Sequence, residues 1–371
     1  MGTTPLRFGL DTFGDVTVDP ATGEPLSHAQ VLRDVVAQGE LADRVGIDAF
    51  GIGEHHRDDY AVSAPDIVLA ALASRTERIR LGTAVTVLSS DDPVRVQQRS
   101  ATIDALSHGR AEVTLGRGSF TESFPLFGHD LSDYEQLFAE KLDLWAALQA
   151  GGRVTWEAGR LRAPLRDIEV FPRTEHGPVR TWIGVGGSPE SVVRTAQYGF
   201  GLMLAIIGGD PARFAPYTQL FRRALHELGR PELPVGVHSP GFVADTDDEA
   251  RELLFPHMKA NRDRIGRERG WAPMTREQFD AEVEHGAMFV GSPDTVAHKI
   301  ARTARVLGLD RFDLKYSNGP LPHEHLMRCI ELYGTEVVPR VRALLGEPRP
   351  DEVDEPDEID DASATVVGAL R

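Results

Sequence analysis

Apolar and polar positions follow one another along the chain in an order that predicts strands alternating with helices. The stretch 78–120 shows the unit most fully, with an apolar strand at 79–87, a helix at 94–106 and a second apolar strand at 111–116. A strand, a helix and a strand in this order form a βαβ unit of a parallel sheet. The strands that the whole pattern predicts are 7–11, 47–53, 79–87, 111–116, 180–185, 201–206, 234–243 and 311–315. Eight strands with helices between them predict an α/β fold, the (β/α)8 TIM barrel.

Two segments are longer than this repeat requires. Residues 154–156 and 161–163 flank a polar turn after the fourth predicted helix, and they predict an antiparallel hairpin. Between the seventh and eighth strands, residues 244–308 are helical in pattern and highly charged, with a break at 270–273. A helical insertion at this place could carry a lid. We therefore predict a single barrel domain, 1–346, with two insertions.

The chain has 371 residues and a formal net charge of −17, part of which lies at its C-terminal end. Residues 347–371 contain nine acidic side chains against two arginines, which predicts a disordered acidic tail. The rest of the chain is also acidic, which argues against nucleic acid or an anionic membrane as a partner. No apolar run is long enough to span a membrane and no signal-peptide core is visible, so we expect a cytoplasmic protein. The only cysteine, Cys329, lies in a helical pattern and predicts a core residue.

Glu54, His55 and His56 directly follow the second predicted strand. In an α/β barrel this is the end at which active sites lie. Neighbouring side chains on an extended chain point to opposite sides, so the three do not converge easily on one metal ion, and we expect no metal site. Two interpretations remain open. We favour a catalytic acid or base, and the alternative is a structural or surface pair.

Two further features could bind an anion. Arg117 leaves the fourth predicted strand at its carboxyl end, where the alternative to anion binding is a surface ion pair. The turn from Gly186 to a helix carries Ser188 and Ser191, whose hydroxyls could hold a phosphate together with the first-turn amides. The alternative for this turn is an ordinary helix cap, formed by Ser188 before a proline.

Four motifs together resemble one protein family. They are GEHH at 53–56, GTAVTVLSSDDPVRV at 82–96, LSHGRAEVTLGRGS at 106–119 and GVGGSPES at 184–191. In order and spacing they are similar to the bacterial luciferase-like, flavin-dependent monooxygenases, from about residue 7 to residue 345. The segment SFTESFPLFG at 119–128 resembles the corresponding sequence of an uncharacterised subgroup of these oxidoreductases.

The resemblance implies a TIM barrel that binds FMN at the carboxyl ends of its strands, usually as a homodimer. It places His55 near the reactive edge of the flavin, and Arg117 with the two serines of the turn around the FMN phosphate. Ala84 and Val85 match a strand beneath the isoalloxazine that can contain a non-proline cis peptide. The cofactor-binding residues that we predict are Thr83, Ala84, Val85, Arg117, Gly186, Gly187, Ser188, Ser191 and Gly208.

The function that the resemblance implies is a monooxygenase that uses reduced FMN and O2 on a small organic substrate. No GxGxxG motif follows the first strand, so a separate NAD(P)H:flavin reductase is expected to supply FMNH2. His238, Tyr316 and Ser317, at later strand ends, are candidate substrate contacts. Gly187 and Gly116 stand where luciferase has an acidic residue and a cysteine, which argues against a light-emitting aldehyde reaction. The alternatives are an F420-dependent dehydrogenase or reductase of the same superfamily, a flavin-binding protein without turnover and, further behind, a metal-dependent hydrolase.

Overall fold

The computed structural model describes residues 5–157 and 159–346, and its centre is a closed barrel of parallel strands. In chain order the strands are β1 (Arg7–Thr12), β2 (Ala49–Ile52), β3 (Arg80–Val87), β4 (Ala111–Gly116), β5 (Val154–Trp156), β6 (Leu165–Ile168), β7 (Arg180–Val185), β8 (Gly201–Ala205), β9 (Val235–Val243), β10 (Phe289–Gly291) and β11 (Arg311–Lys315). The order around the barrel is β9, β11, β1, β2, β3, β4, β7 and β8, and the pairing of β8 with β9 closes it. The predicted (β/α)8 TIM barrel is therefore confirmed.

Helices connect the barrel strands and cover the outside of the barrel. They are α1 (His28–Arg44), α2 (Pro65–Ala73), α3 (Pro93–Leu106), α4 (Ser123–Leu126), α5 (Tyr134–Gln149), α6 (Pro189–Tyr198), α7 (Ala215–Glu227), α8 (Asp247–Arg269), α9 (Arg276–Glu284), α10 (Pro293–Leu307), α11 (His323–Leu332) and α12 (Val338–Leu345). Short 3-10 turns, Leu131–Asp133 and Pro211–Phe214, precede α5 and α7. A π-helical turn, Tyr333–Val337, joins α11 to α12.

The first helix shows how local chemistry sets the bounds of an element. Ser27 caps α1, and its hydroxyl accepts a hydrogen bond from the backbone N–H of Gln30 at 3.2 Å. A cap of this kind contributes about 1 kcal/mol. Val31 and Val35 recur one turn apart on the inner face and are at most 2% exposed. Burial of each valine contributes about 1.5 to 3 kcal/mol, so this face holds the helix against the barrel.

The predicted hairpin is present, but its second strand begins later than the pattern indicates. β5 pairs antiparallel with β6, and residues 161–163 are not part of either strand. The backbone N–H groups of Arg160 and Leu161 donate instead to the carboxylate of Glu140 on α5, both at 3.0 Å. A helix side chain therefore takes the amides that the pattern assigns to the hairpin.

The insertion between β9 and β11 contains a strand that the helical pattern conceals. β10 pairs in parallel with the end of β9, where Phe289 lies opposite Gly241. A Cβ on Gly241 would lie 2.5 Å from the carbonyl oxygen of Phe289, so this close approach requires glycine. The two helices before β10, α8 and α9, form an arm that reaches the carboxyl ends of the barrel strands.

Three remaining predictions concern the C-terminal tail, membrane-spanning segments and the cysteine. The predicted acidic tail, 347–371, lies outside the described residues. No helix in residues 5–157 or 159–346 combines the length and the apolar character needed to cross a membrane. Cys329 is fully buried in α11, where its Sγ accepts a hydrogen bond from the N–H of Val243 at 3.2 Å. The prediction that Cys329 is a core residue is confirmed.

Candidate active site

A cavity of about 1100 Å³ opens at the carboxyl ends of the barrel strands. Residues that follow β1, β2, β4, β8 and β11 form its walls, and the arm adds Met258, Ile265 and Met274 on one side. Ligand pockets usually enclose roughly 300 to 1,000 Å³, so this cavity has room for a large cofactor together with a second small molecule. It lies at the end of the barrel where TIM-barrel active sites lie.

The cavity wall formed by β3 departs from regular pairing at Ala84 and Val85. The peptide bond between them is cis, as the resemblance implies, and the pairing with β4 changes register there. A Cβ on Gly116 would lie 2.7 Å from Cγ2 of Val85, and a Cβ on Gly184 would lie 3.3 Å from its Cγ1. Glycine at both positions therefore makes room for the valine side chain. These four residues and Thr83 all line the cavity.

His55 lines the cavity from the loop after β2, and three aromatic rings surround it. The ring centroids of Tyr60, Phe13 and Phe120 lie 4.4, 4.7 and 4.8 Å from that of the imidazole. Burial among these rings lowers the pKa of His55 to about 3, and the positive charge of Lys315 acts in the same direction. The imidazole is therefore neutral near pH 7, where it can donate or accept a hydrogen bond without carrying a charge.

The low pKa of His55 should make stability depend on pH. The unfolded chain protonates this imidazole near its ordinary pKa of about 6.5, whereas the folded protein protonates it only near pH 3. Between these values the unfolded state binds more protons, so this group lowers the free energy of unfolding as the pH falls. Between about pH 6 and pH 4, the free energy of unfolding of His55→Asn should therefore fall by about 1 to 2 kcal/mol less than that of the wild type. Urea unfolding at the two pH values would measure the difference.

The matched control for this measurement is His298→Asn. His298 is exposed on α10, and its substitution should leave the pH dependence of the wild type unchanged. An equal slope in the wild type and in His55→Asn would contradict a neutral, buried imidazole at position 55.

Glu54 and His56 pair with each other and do not converge with His55. Nε2 of His56 lies 3.0 Å from Oε1 of Glu54, while Oε2 of Glu54 accepts a hydrogen bond from the N–H of Val87 at 3.2 Å. The carboxylate therefore ties the loop after β2 to the end of β3, close to the cis peptide. Glu54 and His56 also line the cavity, where this geometry corresponds to the structural pair considered above. Within the described ranges, no cluster of three or more His, Cys, Asp or Glu side chains is arranged to hold a metal ion.

Arg117 lies at the edge of the cavity, directly after β4. Its guanidinium pairs with the carboxylate of Glu135 and lies over the ring of Tyr134, 5.8 Å from the centroid. The hydroxyl of Tyr134 donates to the carbonyl oxygen of Gly118 at 2.6 Å, which fixes the ring. The Arg117 side chain is 27% exposed, so a ligand anion in the cavity can reach it. The surface ion pair exists, and it leaves the guanidinium accessible.

In the turn before α6, some of the predicted residues line the cavity and others cap the helix. Gly186 and the more distant Gly208 line the cavity, whereas Gly187, Ser188 and Ser191 do not. The hydroxyl of Ser188 accepts a hydrogen bond from the N–H of Ser191 at 3.3 Å, which is the helix cap named above as the alternative. Both serines therefore act on the helix in this structure, and Gly186 is the part of the turn that the cavity reaches.

Of the three candidate substrate residues, His238 lines the cavity and the other two do not. Tyr316 is fully buried, and its hydroxyl donates to Oε1 of Gln38 on α1 at 2.7 Å. Ser317 is 1% exposed, and its hydroxyl donates to a carboxylate in the loop after β1 at 2.7 Å. Side chains alternate along a strand, so Lys315 faces the cavity and Tyr316 faces α1. The structure therefore places Tyr316 and Ser317, which we predict as substrate contacts, outside the lining of this cavity.

The floor of the cavity carries charged side chains that the hydrophobic pattern does not reveal. Arg311, Asp313 and Lys315 alternate along β11, and all three are buried and line the cavity. Arg311 pairs with Glu112 of β4 and donates to Asp313 at 2.6 Å. A Cβ on Gly9 would lie 2.0 Å from Oδ1 of Asp313, so glycine leaves the space for this carboxylate. In β11, charged residues occupy every second position between apolar ones, and this alternation is the signal in the sequence that could have indicated a charged floor.

Ion pairs fasten the distal part of α8 to the loops around the cavity. Arg57, in the loop after β2, contacts Glu268 of α8 at 2.6 Å, Glu122 at 2.7 Å and Asp59 at 3.0 Å. Arg264 of α8 contacts the same Asp59 at 3.2 Å. The hydrogen bonds from Arg57 to Glu268 raise the pKa of the guanidinium, which keeps it charged. The arm therefore meets these loops through charged contacts.

The fold and the cavity together define a TIM-barrel protein with a large cavity at the carboxyl ends of its strands and a cis peptide in the cavity wall. A family model described as luciferase-like monooxygenase matches residues 6–311, and the chain belongs to this family. Limonene 1,2-monooxygenase from Rhodococcus erythropolis is 30% identical over 275 residues, which cover 71% of this chain and 69% of that protein. The crystal structure of monooxygenase RslO1 from Streptomyces bottropensis has a TM-score of 0.76 at 25% identity, and the match covers 90% of this chain and 99% of that one.

Two more solved structures share the fold at lower identity. The oxygenating constituent of 3,6-diketocamphane monooxygenase from Pseudomonas putida, in complex with FMN, has a TM-score of 0.73 at 18% identity over 91% of this chain and 99% of that one. The coenzyme F420-dependent tetrahydromethanopterin reductase from Methanopyrus kandleri has a TM-score of 0.66 at 18% identity, with the same coverage of 91% and 99%. The likeness to these two structures establishes the fold, and the cofactors belong to those proteins.

Proposed function

We propose that the protein is a flavin-dependent monooxygenase that uses reduced FMN and O2 to oxidise a small organic molecule. The observation that carries the proposal is the large cavity at the carboxyl ends of the barrel strands, whose wall includes Ala84 and Val85 of β3 beside Gly116 and Gly184. The resemblance in sequence implies that the ring system of a flavin lies on this strand. Two relatives are monooxygenases by name, and one solved structure with this fold holds FMN.

The residues around the cavity fit FMN in chemistry and in space. Ala84 and Val85 would hold the ring system, and the neutral imidazole of His55 would offer it a hydrogen bond. Arg117 would hold the phosphate, and a Cβ on Gly186 would meet nothing within 4 Å, so the turn leaves space beside it. When bound, FMN supplies the redox chemistry with O2, while the protein binds, orients and excludes water.

The source of reduced FMN and the assembly belong to the same proposal. Since no GxGxxG motif follows β1, we infer that a separate NAD(P)H:flavin reductase supplies FMNH2. We also infer a homodimer, on the basis of the resemblance. Size-exclusion chromatography with light scattering would measure the mass, and a monomer at micromolar concentration would contradict the homodimer.

The experiment that tests the function compares cofactors on the purified protein. Fluorescence titrations with FMN and with F420 would give both affinities, and O2 consumption by the FMNH2-loaded protein would be compared with product formation. Tighter binding of FMN, with product formed in step with O2, supports the proposal. Tighter binding of F420 would favour the dehydrogenase or reductase, and FMN binding without any product would favour a binding protein without turnover.

Replacing Arg117 with alanine is expected to weaken FMN binding by about 1.5 to 3 kcal/mol, because a hydrogen bond to a charged phosphate is lost. This corresponds to a dissociation constant raised about 10-fold to 150-fold, measured by the quenching of flavin fluorescence. Riboflavin has no phosphate, and its affinity should stay the same. Glu135→Gln serves as the matched control, since it removes the partner of Arg117 and should leave FMN binding equal or tighter. An unchanged FMN affinity in Arg117→Ala would remove this residue from the phosphate site.

A further inference from the structure

His238 and Asp11 both line the cavity, where they form a hydrogen-bonded pair. Nδ1 of His238 lies 2.5 Å from Oδ2 of Asp11, and the imidazole stacks on Phe13 with ring centroids 6.0 Å apart and planes inclined by 12°. An ionised carboxylate only accepts hydrogen bonds, so the hydrogen of the neutral imidazole lies on Nδ1. Nε2 then carries a lone pair, and among the described residues it has no hydrogen-bond partner. A basic nitrogen is therefore available to a ligand in the cavity.

The barrel is shaped to hold this carboxylate in place. Asp11 is 1% exposed, and its Oδ1 has no hydrogen-bond partner among the described residues. A Cβ on Gly51 of the neighbouring strand would lie 2.0 Å from this oxygen, so glycine leaves the space that the carboxylate fills. The imidazole of His238 is the one side chain of the described residues that bonds to Asp11. A buried carboxylate with this single partner stabilises a positive charge on it.

Other charges face the same floor. Lys315 lies over the ring of Phe13, with Nζ 4.5 Å from the centroid, and contacts Asp15 at 3.2 Å. Asp313 lies level with His238 on the neighbouring strand, where it accepts a hydrogen bond from Arg311. The two cations, Lys315 and Arg311, are both buried. Each cation is already paired, Lys315 with Asp15 and Arg311 with Glu112 and Asp313, so this floor carries no excess of positive charge.

We propose that His238, oriented by Asp11, is a general base that removes the proton of a hydroxyl group on the substrate. The substrate then belongs to the compounds with an ionisable hydroxyl, phenols and enols. This inference rests on the proposed function of the same cavity. In the step, the O–H bond breaks and its electron pair stays on oxygen, while the proton forms a bond to Nε2. Asp11 keeps its negative charge and stabilises the imidazolium, so Asp11 is a positioning residue.

The assignment separates the roles of the two histidines in the cavity. Burial among aromatic rings lowers the pKa of His55 to about 3, so its imidazole holds an added proton poorly. His238 instead has a carboxylate on Nδ1, which is the arrangement that orients and supports a general base. Loss of the hydroxyl proton makes the adjacent carbon framework electron-rich, which prepares a phenol or an enol for attack by an oxidant.

The test uses 4-nitrophenol as a probe, because its ionised form absorbs visible light and its neutral form does not. Difference spectra of the purified protein would be recorded about one pH unit below the pKa of the free probe. The wild type should bind the probe mostly as the phenolate. His238→Gln should bind it mostly in the neutral form, and Asp11→Asn should lower the ratio of ionised to neutral probe at least about tenfold, equivalent to one pKa unit.

The matched control is His298→Gln on the surface of α10, where His298 also lies beside an aspartate, Asp294, at 3.5 Å. This variant should ionise the probe as the wild type does. A neutral probe in the wild type, equal ionisation in His238→Gln, or no binding of the probe at all would each overturn the proposal. FMN titrations on the same samples distinguish a failure of this inference from a failure of the proposed function. A protein that ionises the probe without binding FMN would contradict the proposed function alone.

A second measurement uses the wild type alone and so does not depend on the folding of any variant. Nitrogen NMR of the wild type with isotopically labelled histidine should show His238 with hydrogen on Nδ1 alone, and with hydrogen on both ring nitrogens once 4-nitrophenol is bound. A His238 signal that stays the same when the probe binds would overturn the role of general base.

Discussion

Replacing His55 with alanine is expected to slow product formation by about 100-fold to 1,000-fold, which is the range for the loss of one positioned hydrogen-bond donor at the reacting centre. The imidazole lies between Phe13 and Phe120 and faces the cavity, so its loss removes a polar group from an aromatic wall. The affinity for FMN should change little, because Arg117 and the wall at Val85 remain.

The measurement supplies reduced FMN from a flavin reductase and follows product from isotopically labelled O2 by mass spectrometry. Phenols and enols are the first compounds to screen as substrates. In His55→Ala, NADH consumption should continue while the labelled product falls, since reduced FMN still reacts with O2. His298→Ala should match the wild type in both quantities. A His55→Ala protein with the product yield of the wild type would remove His55 from the chemistry.

Replacing Arg311 with leucine is expected to lower the free energy of unfolding by about 3 to 5 kcal/mol, because two buried carboxylates lose their cation. Glu112 is 4% exposed and Asp313 is 2% exposed, and Arg311 pairs with both. Urea unfolding would measure the loss through the midpoint concentration. A second substitution, Glu112→Gln in the Arg311→Leu background, should recover part of the loss because it removes one of the unpaired charges.

The stability that Arg311→Leu loses should also depend on pH, and Asp313 decides whether the loss grows or shrinks as the pH rises. Burial raises the pKa of this carboxyl to about 7, so the folded state binds more protons than the unfolded state between about pH 4 and pH 7. Its ionisation therefore destabilises the fold as the pH rises, and the cost of losing Arg311 should be largest above pH 7. Arg340→Leu is the control, since Arg340 is exposed and pairs with Glu336 at the surface, where a pair contributes about 0 to 1 kcal/mol. Equal losses in the two variants would contradict a buried charge network.

The barrel could be predicted from the sequence because apolar residues recur at a different spacing in strands than in helices. The start of α1 is of the kind that a capping serine, Ser27, indicates before a run of apolar residues at helical spacing. The strand β10 has three residues, too few to show a period inside a charged helical segment. The second strand of the hairpin begins late because Glu140 binds the amides before it, and a contact over 20 residues leaves no local pattern.

The candidate site was predictable in part, and mainly through the family resemblance. The resemblance led to the cis peptide at Ala84 and Val85, which no propensity indicates. The strand period alone could have excluded Tyr316 from the cavity and included Lys315. The pair of Asp11 and His238 joins residues 227 positions apart, so it depends on the strand order of the barrel, which places β1 and β9 on either side of β11.

The arm has a consequence for changing the range of substrates by protein engineering. Its wall residues, Met258, Ile265 and Met274, come from a segment separate from the charged floor around Arg311. Substitutions on the arm therefore alter the size and shape of the cavity without breaking the buried ion pairs on which barrel stability depends. Methionine side chains are flexible and adapt to ligands of different shapes, so variant libraries at the half-buried positions 258 and 265 offer a route to new substrates, whereas Met274 is 6% exposed and belongs to the core.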